Sequence, residues 1–258
     1  MNAYSPLLSL FALAPNLRRA TDETLSLFIL ARSEGYDSHH YDIELRQLVK
    51  RYQGRLSEKE RKVMDRELPR LRARLEVMRP AACPALAGFA DEAAGILDLI
   101  PLRAVTEARL EVGEPLLAPI LRQLEEFPPA LVAVVDKEQG RIFAAILGDV
   151  WPLEHLVGDE VNHSRSGGTS AASNQRKADN RTRANLEHVV TTVEHEMATG
   201  AYSGLYVAGT TEARAWFEKL LSATLKSKIV GRLPALLDSP TLQHELRHKL
   251  IAASPVKA

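Results

Sequence analysis

Residues 163 to 176 read HSRSGGTSAASNQR, and the stretch most suited to chemistry is Gly167-Gly168 followed by Thr169 and Ser170. Adjacent glycines reach φ > 0 without steric cost and remove the side chains that would hold another molecule at a distance. A helix is expected to start directly after them, with Ser170 as its N-cap. The free amides and positive dipole end of such a start favour a phosphate or a developing oxyanion. From His163 to Leu186 five basic residues (Arg165, Arg176, Lys177, Arg181 and Arg183) stand against one acid, Asp179. On a helical wheel Arg176, Asn180, Arg183 and Glu187 share one flank, while Leu186, Val189, Val190, Val193 and Met197 form an apolar stripe. This pattern predicts one packed face beside a basic face able to hold a phosphate backbone. The plain structural alternative is a flexible connection leading into a solvated helix face. Gln175 falls close to the apolar stripe by wheel angle and reads equally as a first-turn packing residue.

Other chemistry is poorly supported. The glycine spacing is not that of a nucleotide P-loop, and no cofactor is expected. His188 and His195 are seven apart on the same helix, two turns from each other, too far to share one ion without outside ligands. No metal site is expected there. His39-His40 have no nucleophile near them in sequence, and Cys83 before Pro84 reads as a packed thiol. Trp151 and Trp216 read as core or edge anchors. A second basic patch runs from Lys50 to Arg79, with eleven Lys/Arg against five acids. It reads first as a salt-bridged, solvated helix pair and second as a contact for RNA phosphates.

The elements that must position these residues follow from the hydrophobic pattern. The chain has 258 residues, zero formal net charge and a 45% hydrophobic share, enough for a buried core. Zero net charge argues against bulk electrostatic binding of nucleic acid, and no DNA partner is expected. A single cysteine excludes an internal disulfide and fits a reducing compartment. No apolar run reaches the roughly 18 residues of a membrane span. The mildly apolar start has no basic residue before its apolar part, so it reads as a strand of a cytoplasmic protein.

Strands are expected at 7–14, 24–31, 84–91, 95–102 and 108–112. A helical hairpin over 42–78 has its tip near Gly54, a capping box of Ser57 and Glu60, and a kink or break at Pro69. A short helix is expected over 115–126. Phe127-Pro128-Pro129 marks a domain boundary, giving an N-terminal α+β domain over 1–127 and a second domain over 128–258. The second domain opens with a β-hairpin, 130–136 and 141–149 joined by KEQG. The glycine loop, a long helix over about 171–198, strand 203–209, helix 211–225, strand 228–234 and a last helix near 240–252 follow. The expected class is α/β with a mixed sheet.

That order of elements resembles the middle domain of archaeal and eukaryotic class I release factors, and more closely the bacterial release-factor-like families related to them. The likeness spans about 120 residues: ALVAVVDKEQGRIFAAILGD, the GGTS loop, the long helix, SGLYVAGT and KSKIVGRLP. In that family the loop carries Gly-Gly-Gln followed by Ser. Gly167, Gly168 and Ser170 match, while Thr169 stands where the glutamine belongs. Several bacterial relatives carry a later Gln-Arg pair, matched by Gln175-Arg176. The first half is similar, more weakly, to the family's N-terminal domain, but its tip reads QGRLS and lacks the codon-reading motif. The family's third domain is expected to be missing.

The resemblance implies a ribosome-directed protein whose loop approaches the tRNA acceptor end, where the family hydrolyses the ester between peptide and tRNA. Three functions stay open at this point. One is peptidyl-tRNA hydrolysis in ribosome rescue, with Gly167, Gly168, Thr169 and Gln175 as the candidate catalytic loop. The second is a non-catalytic factor that occupies idle ribosomes. The third is a tRNA-directed nuclease, for which the region offers only Asp159, Glu160 and Asp179.

Overall fold

The computed structural model describes residues 5–30, 38–78, 84–105, 107–161, 171–234 and 241–252. Arg165, Gly167, Gly168, Thr169, the expected cap Ser170 and Cys83 lie outside the described residues. The chain divides into two compact units, one of Ser5–Pro128 with Leu147–Asp149, the other of Pro129–Ile146 and the residues from Val150 onward.

The first unit opens with a helix, α1 (Pro6–Leu13), where the sequence predicts a strand. LLSLFALA is apolar at nearly every position, so it has no period to separate helix from strand. Local signals decide it. Ser5 Oγ accepts from Leu8 N at 3.5 Å, and Pro6 sits in the first turn, where a missing N–H costs nothing. Next come β1 (Thr24–Leu30), α2 (Ser38–Gln53), α3 (Glu58–Met78), β2 (Ala85–Asp91), β3 (Ile96–Leu102), β4 (Arg109–Gly113) and α4 (Ala118–Glu126). The strands form an antiparallel sheet in the order β3-β2-β1-β4.

Strand β1 is internal, which accounts for its apolar run. Leu25, Leu27 and Ile29 pack with Leu45, Leu48, Met64 and Leu71 of the helix pair, while Phe28 meets Phe89 edge-on. The predicted capping box forms, with Glu60 N donating to Ser57 Oγ at 3.3 Å and Ser57 N to Glu60 Oε2 at 2.7 Å. Of the kink or break expected at Pro69, the break is not realised: α3 runs through it. An interior proline costs roughly 3 kcal/mol. Burying Met64, Leu71 and Leu75 on the sheet returns about 1.5–3 kcal/mol each, so packing overrides the break.

The buried carboxylate of Asp91 closes the end of β2. Its Oδ2 accepts from Thr21 N (3.1 Å), Thr21 Oγ1 (2.7 Å) and Thr24 Oγ1 (3.1 Å), and its Oδ1 from Ala94 N (3.0 Å). Burial alone would raise its pKa, but these donors outweigh it and hold the carboxyl below its usual value.

The second unit contains β5 (Ala130–Val135), β6 (Gln139–Ile146), β7 (Asp149–Val157), α5 (Ala171–Ala198), β8 (Gly204–Gly209), α6 (Thr211–Leu220), α7 (Ala223–Lys226), β9 (Ile229–Leu233) and α8 (Leu242–Ala252). The sheet order is β7-β6-β5-β8-β9, with β5–β6 antiparallel and β5–β8 and β8–β9 parallel. It is therefore the expected mixed sheet of an α/β protein. Helices α5 and α6 share a core with one of its faces, through Leu131, Ala133, Ile142, Leu186, Val193, Leu205 and Phe217. Leu242, Leu246 and Leu250 of α8 pack with Val132, Val134 and Phe143 in a separate cluster.

Two elements differ from the sequence reading. Strand β7 is new. Its first part, around Val150, is buried and most of the rest is exposed, so no alternation marks it, and Pro152 is tolerated because the strand lies at the sheet edge. The expected helix over 211–225 is two helices. Ser222 caps the second, its Oγ accepting from Leu225 N at 3.3 Å, and thereby competes with continuation of the first.

Candidate nucleic-acid interface

Helix α5 owes its position to its apolar stripe. Ala178, Thr182, Leu186, Val189, Val190 and Val193 recur at helical spacing and are buried, with Met197 packed beside them. The helix lies so close to β6 that a Cβ on Gly140 would stand 2.6 Å from Val189 Cγ2. Gly140 is thus required by close approach, at the point where the β5–β6 turn ends.

The β5–β6 turn is built by Asp136, whose Oδ1 accepts from Glu138 N at 2.7 Å and Gln139 N at 2.8 Å. Glu138 then fastens the segment that follows β7. Its carbonyl accepts from Gly158 N at 2.8 Å, and its Oε1 accepts from Val161 N at 2.8 Å. Asn185 of α5 completes the lock. Its Oδ1 accepts from Asp159 N (2.9 Å), and its Nδ2 donates to Asp159 O (2.9 Å) and Lys137 O (3.1 Å). Gly158 has no room for a Cβ, which would overlap the Asn185 amide. Residues 158–161 are therefore tied to both the turn and α5 immediately before the glycine-bearing stretch. Sequence reasoning missed Asn185 and Glu138, because their partners are backbone groups distant in sequence.

The outward face of α5 carries Gln175, Arg176, Lys177, Asn180, Arg181, Arg183 and Glu187, all exposed. Gln175 does not turn toward the apolar stripe. It donates from Nε2 to Asp179 Oδ1 at 2.8 Å, and the buried positions of the first turns are Ala178 and Thr182 instead. Arg181 donates to Glu160 O at 3.2 Å, adding a further tie to the 158–161 segment. Arg183 pairs with Glu187 at 2.8 Å, one turn on, an exposed pair worth only a few tenths of a kcal/mol. Among the described residues Arg176 and Lys177 have no hydrogen-bond or ion-pair partner, so their charge is uncommitted. The structure thus brings Gln175, Arg176, Lys177, Arg181 and Arg183 to one helix end.

His188 and His195 are exposed on the same helix, and among the described residues no three His, Cys, Asp or Glu side chains cluster as metal ligands. Trp151 is exposed on edge strand β7, while Trp216 is half-buried with Lys219 Nζ 5.7 Å from its ring centre. In the second basic patch Glu67 is fully buried between Arg66 (2.7 Å) and Arg70, and Lys59 pairs with Asp22 at 3.0 Å. Part of that patch is thereby committed to internal salt bridges. No helix among the described residues is long and apolar enough to cross a membrane.

The second unit is thus a mixed sheet packed against a long helix that is basic at its N-terminal end and tied to the preceding segment. The chain belongs to bacterial archaeo-eukaryotic release factor family 10, whose model matches residues 115–253, more than half of its length. No curated protein matches it. Among solved structures it is similar to one titled an archaeal protein, with 16% identity, TM-score 0.38, and 99% of this chain and 72% of that one covered. It is also similar to the archaeal translation termination factor aRF1, with 14% identity, TM-score 0.38, and 97% and 75% covered. A third is the Thermoplasma acidophilum Pelota protein, with 10% identity, TM-score 0.38, and 98% and 64% covered.

Proposed function

We propose that this protein is a ribosome-directed, release-factor-like factor of the cytoplasm that acts at the tRNA acceptor end and hydrolyses peptidyl-tRNA during ribosome rescue. Residues 1–127 serve as an N-terminal domain and 128–258 as the middle-domain-like unit that carries the loop. The observation that supports this most is the family match across the segment holding Gly167-Gly168 and the basic end of α5. In this reading Arg165, Arg176, Lys177, Arg181 and Arg183 hold RNA phosphates. Gly167 and Gly168 let the backbone approach the ester, and a backbone amide faces the leaving 3′ oxygen. Thr169 and Gln175 shape the water site. No stop-codon preference is expected, because the α2–α3 tip reads QGRLS.

The second reading is a factor that occupies idle ribosomes without catalysis, and Thr169 in place of glutamine favours it. One experiment separates the two: co-sedimentation with ribosomes, then hydrolysis measured on ribosomes loaded with peptidyl-tRNA. Thr169→Gln should raise ester hydrolysis in a hydrolase and leave a purely occupying factor inactive. Absence of co-sedimentation would defeat both readings.

A further inference from the structure

The H-E-x-x-H spacing that α5 lacks is present in α8, which reads LQHELRHKLIA and contains His244-Glu245-Leu246-Arg247-His248. Histidines four apart lie one above the other on a helix face, the spacing of two metal ligands. In α8 the two imidazoles are in contact, with ring centres 4.4 Å apart and planes at 72°. Both side chains are exposed, while Leu242, Leu246 and Leu250 anchor the helix in the core. Packing therefore fixes the helix and presents the pair outward.

The same geometry argues against a peptidase centre. Such a centre needs a third protein ligand and a glutamate acting as base. Among the described residues no third ligand joins the pair. The Glu245 carboxylate accepts from Thr241 Oγ1 at 2.9 Å and lies 3.8 Å from Lys249 Nζ.

We propose that His244 and His248 form a two-imidazole chelate for a divalent first-row metal ion of the zinc, nickel and copper class. These are ions that imidazole ligands suit, and they bind ring nitrogen at about 2.0–2.1 Å. Both rings are exposed to solvent, from which the ion would arrive. Water fills the other coordination positions. His188 and His195, seven residues apart, are separated by roughly 10 Å along their helix axis and cannot share an ion, which makes them an internal control.

The test uses the full chain, stripped with chelator and titrated with zinc chloride by calorimetry, with stoichiometry from equilibrium dialysis and elemental analysis. One zinc per chain is expected. Association should fall at least about tenfold in either His244→Ala or His248→Ala, since even loss of a group that only supports a ligand costs that much. The double variant His188→Ala/His195→Ala should bind as the parent does. Circular dichroism checks that every variant is folded. Absence of saturable zinc binding, or binding that survives His244→Ala unchanged, overturns the proposal.

Discussion

Replacing Asn185 with alanine tests the lock between α5 and the end of β7. The change removes three hydrogen bonds, one from Asp159 N and two to Asp159 O and Lys137 O. Each neutral bond is worth about 0.5–1.5 kcal/mol, and partial exposure places these at the lower end, for a local loss of about 1.5–3 kcal/mol. The lock is local, so a global unfolding curve reports it poorly. Amide hydrogen exchange reads the segment directly. Asp159 N should exchange roughly 10- to 150-fold faster, at 1.4 kcal/mol per factor of ten, while amides within β5 should stay unchanged. Gly158→Ala should open the same lock, because its Cβ would overlap the Asn185 amide. The double variant should then cost clearly less than the two single changes added together. Exchange at Asp159 within twofold of the parent, or strict additivity of the pair, would refute the role given to Asn185.

Further outcomes can be stated. The Asp91 pKa is lowered in the folded protein, so its stabilising contribution is complete above its unfolded value of 3.8 and is lost as pH falls through the lower folded value. Urea midpoints measured between pH 5 and pH 2 should show this fall, and Asp91→Asn should lower stability at pH 5 and flatten the acid dependence. Arg176→Glu should weaken ribosome association and reduce its dependence on salt more than Arg183→Glu, because Glu187 already offsets Arg183. A salt slope for Arg176→Glu unchanged from the parent's would assign Arg176 to a solvated surface. Gly140→Ala should destabilise the second unit by about 1–3 kcal/mol, since the new methyl overlaps a stiff Val189; denaturant unfolding measures it.

What could be read from the sequence depended on where each determinant lies. Strands β1, β5 and β8 are buried along nearly their whole length and mostly apolar, as suits strands internal to their sheets, and the β5–β6 hairpin carries its own turn residue in Asp136. Helix α1 was hidden because a uniform apolar run leaves the choice to a cap. Strand β7 was hidden because an edge position removes alternation and permits Pro152. The basic face of α5 was legible from wheel geometry, yet the orientation of Gln175 was not, since Asp179 one turn on decides it. Asn185 and Glu138 form ties to backbone groups, which leave no signature in residue type. HELRH in α8 is plain as spacing; its outward presentation depends on which leucines the core takes.

The pairing of β5 also sets a schedule during synthesis. Its antiparallel partner β6 follows after a short turn, whereas its parallel partner β8 lies 74 positions on, Ala130 opposite Gly204 and Val135 opposite Gly209. A hairpin closes in about 1–10 μs. At a synthesis rate of roughly 5–20 residues per second, β8 emerges about 4–15 s later. For that interval β5 has one open edge, although its Leu131, Val132, Val134 and Val135 are almost wholly buried in the finished sheet. Aggregation of the nascent chain should therefore begin at this strand, and a chaperone that shields it would be needed only until β8 arrives.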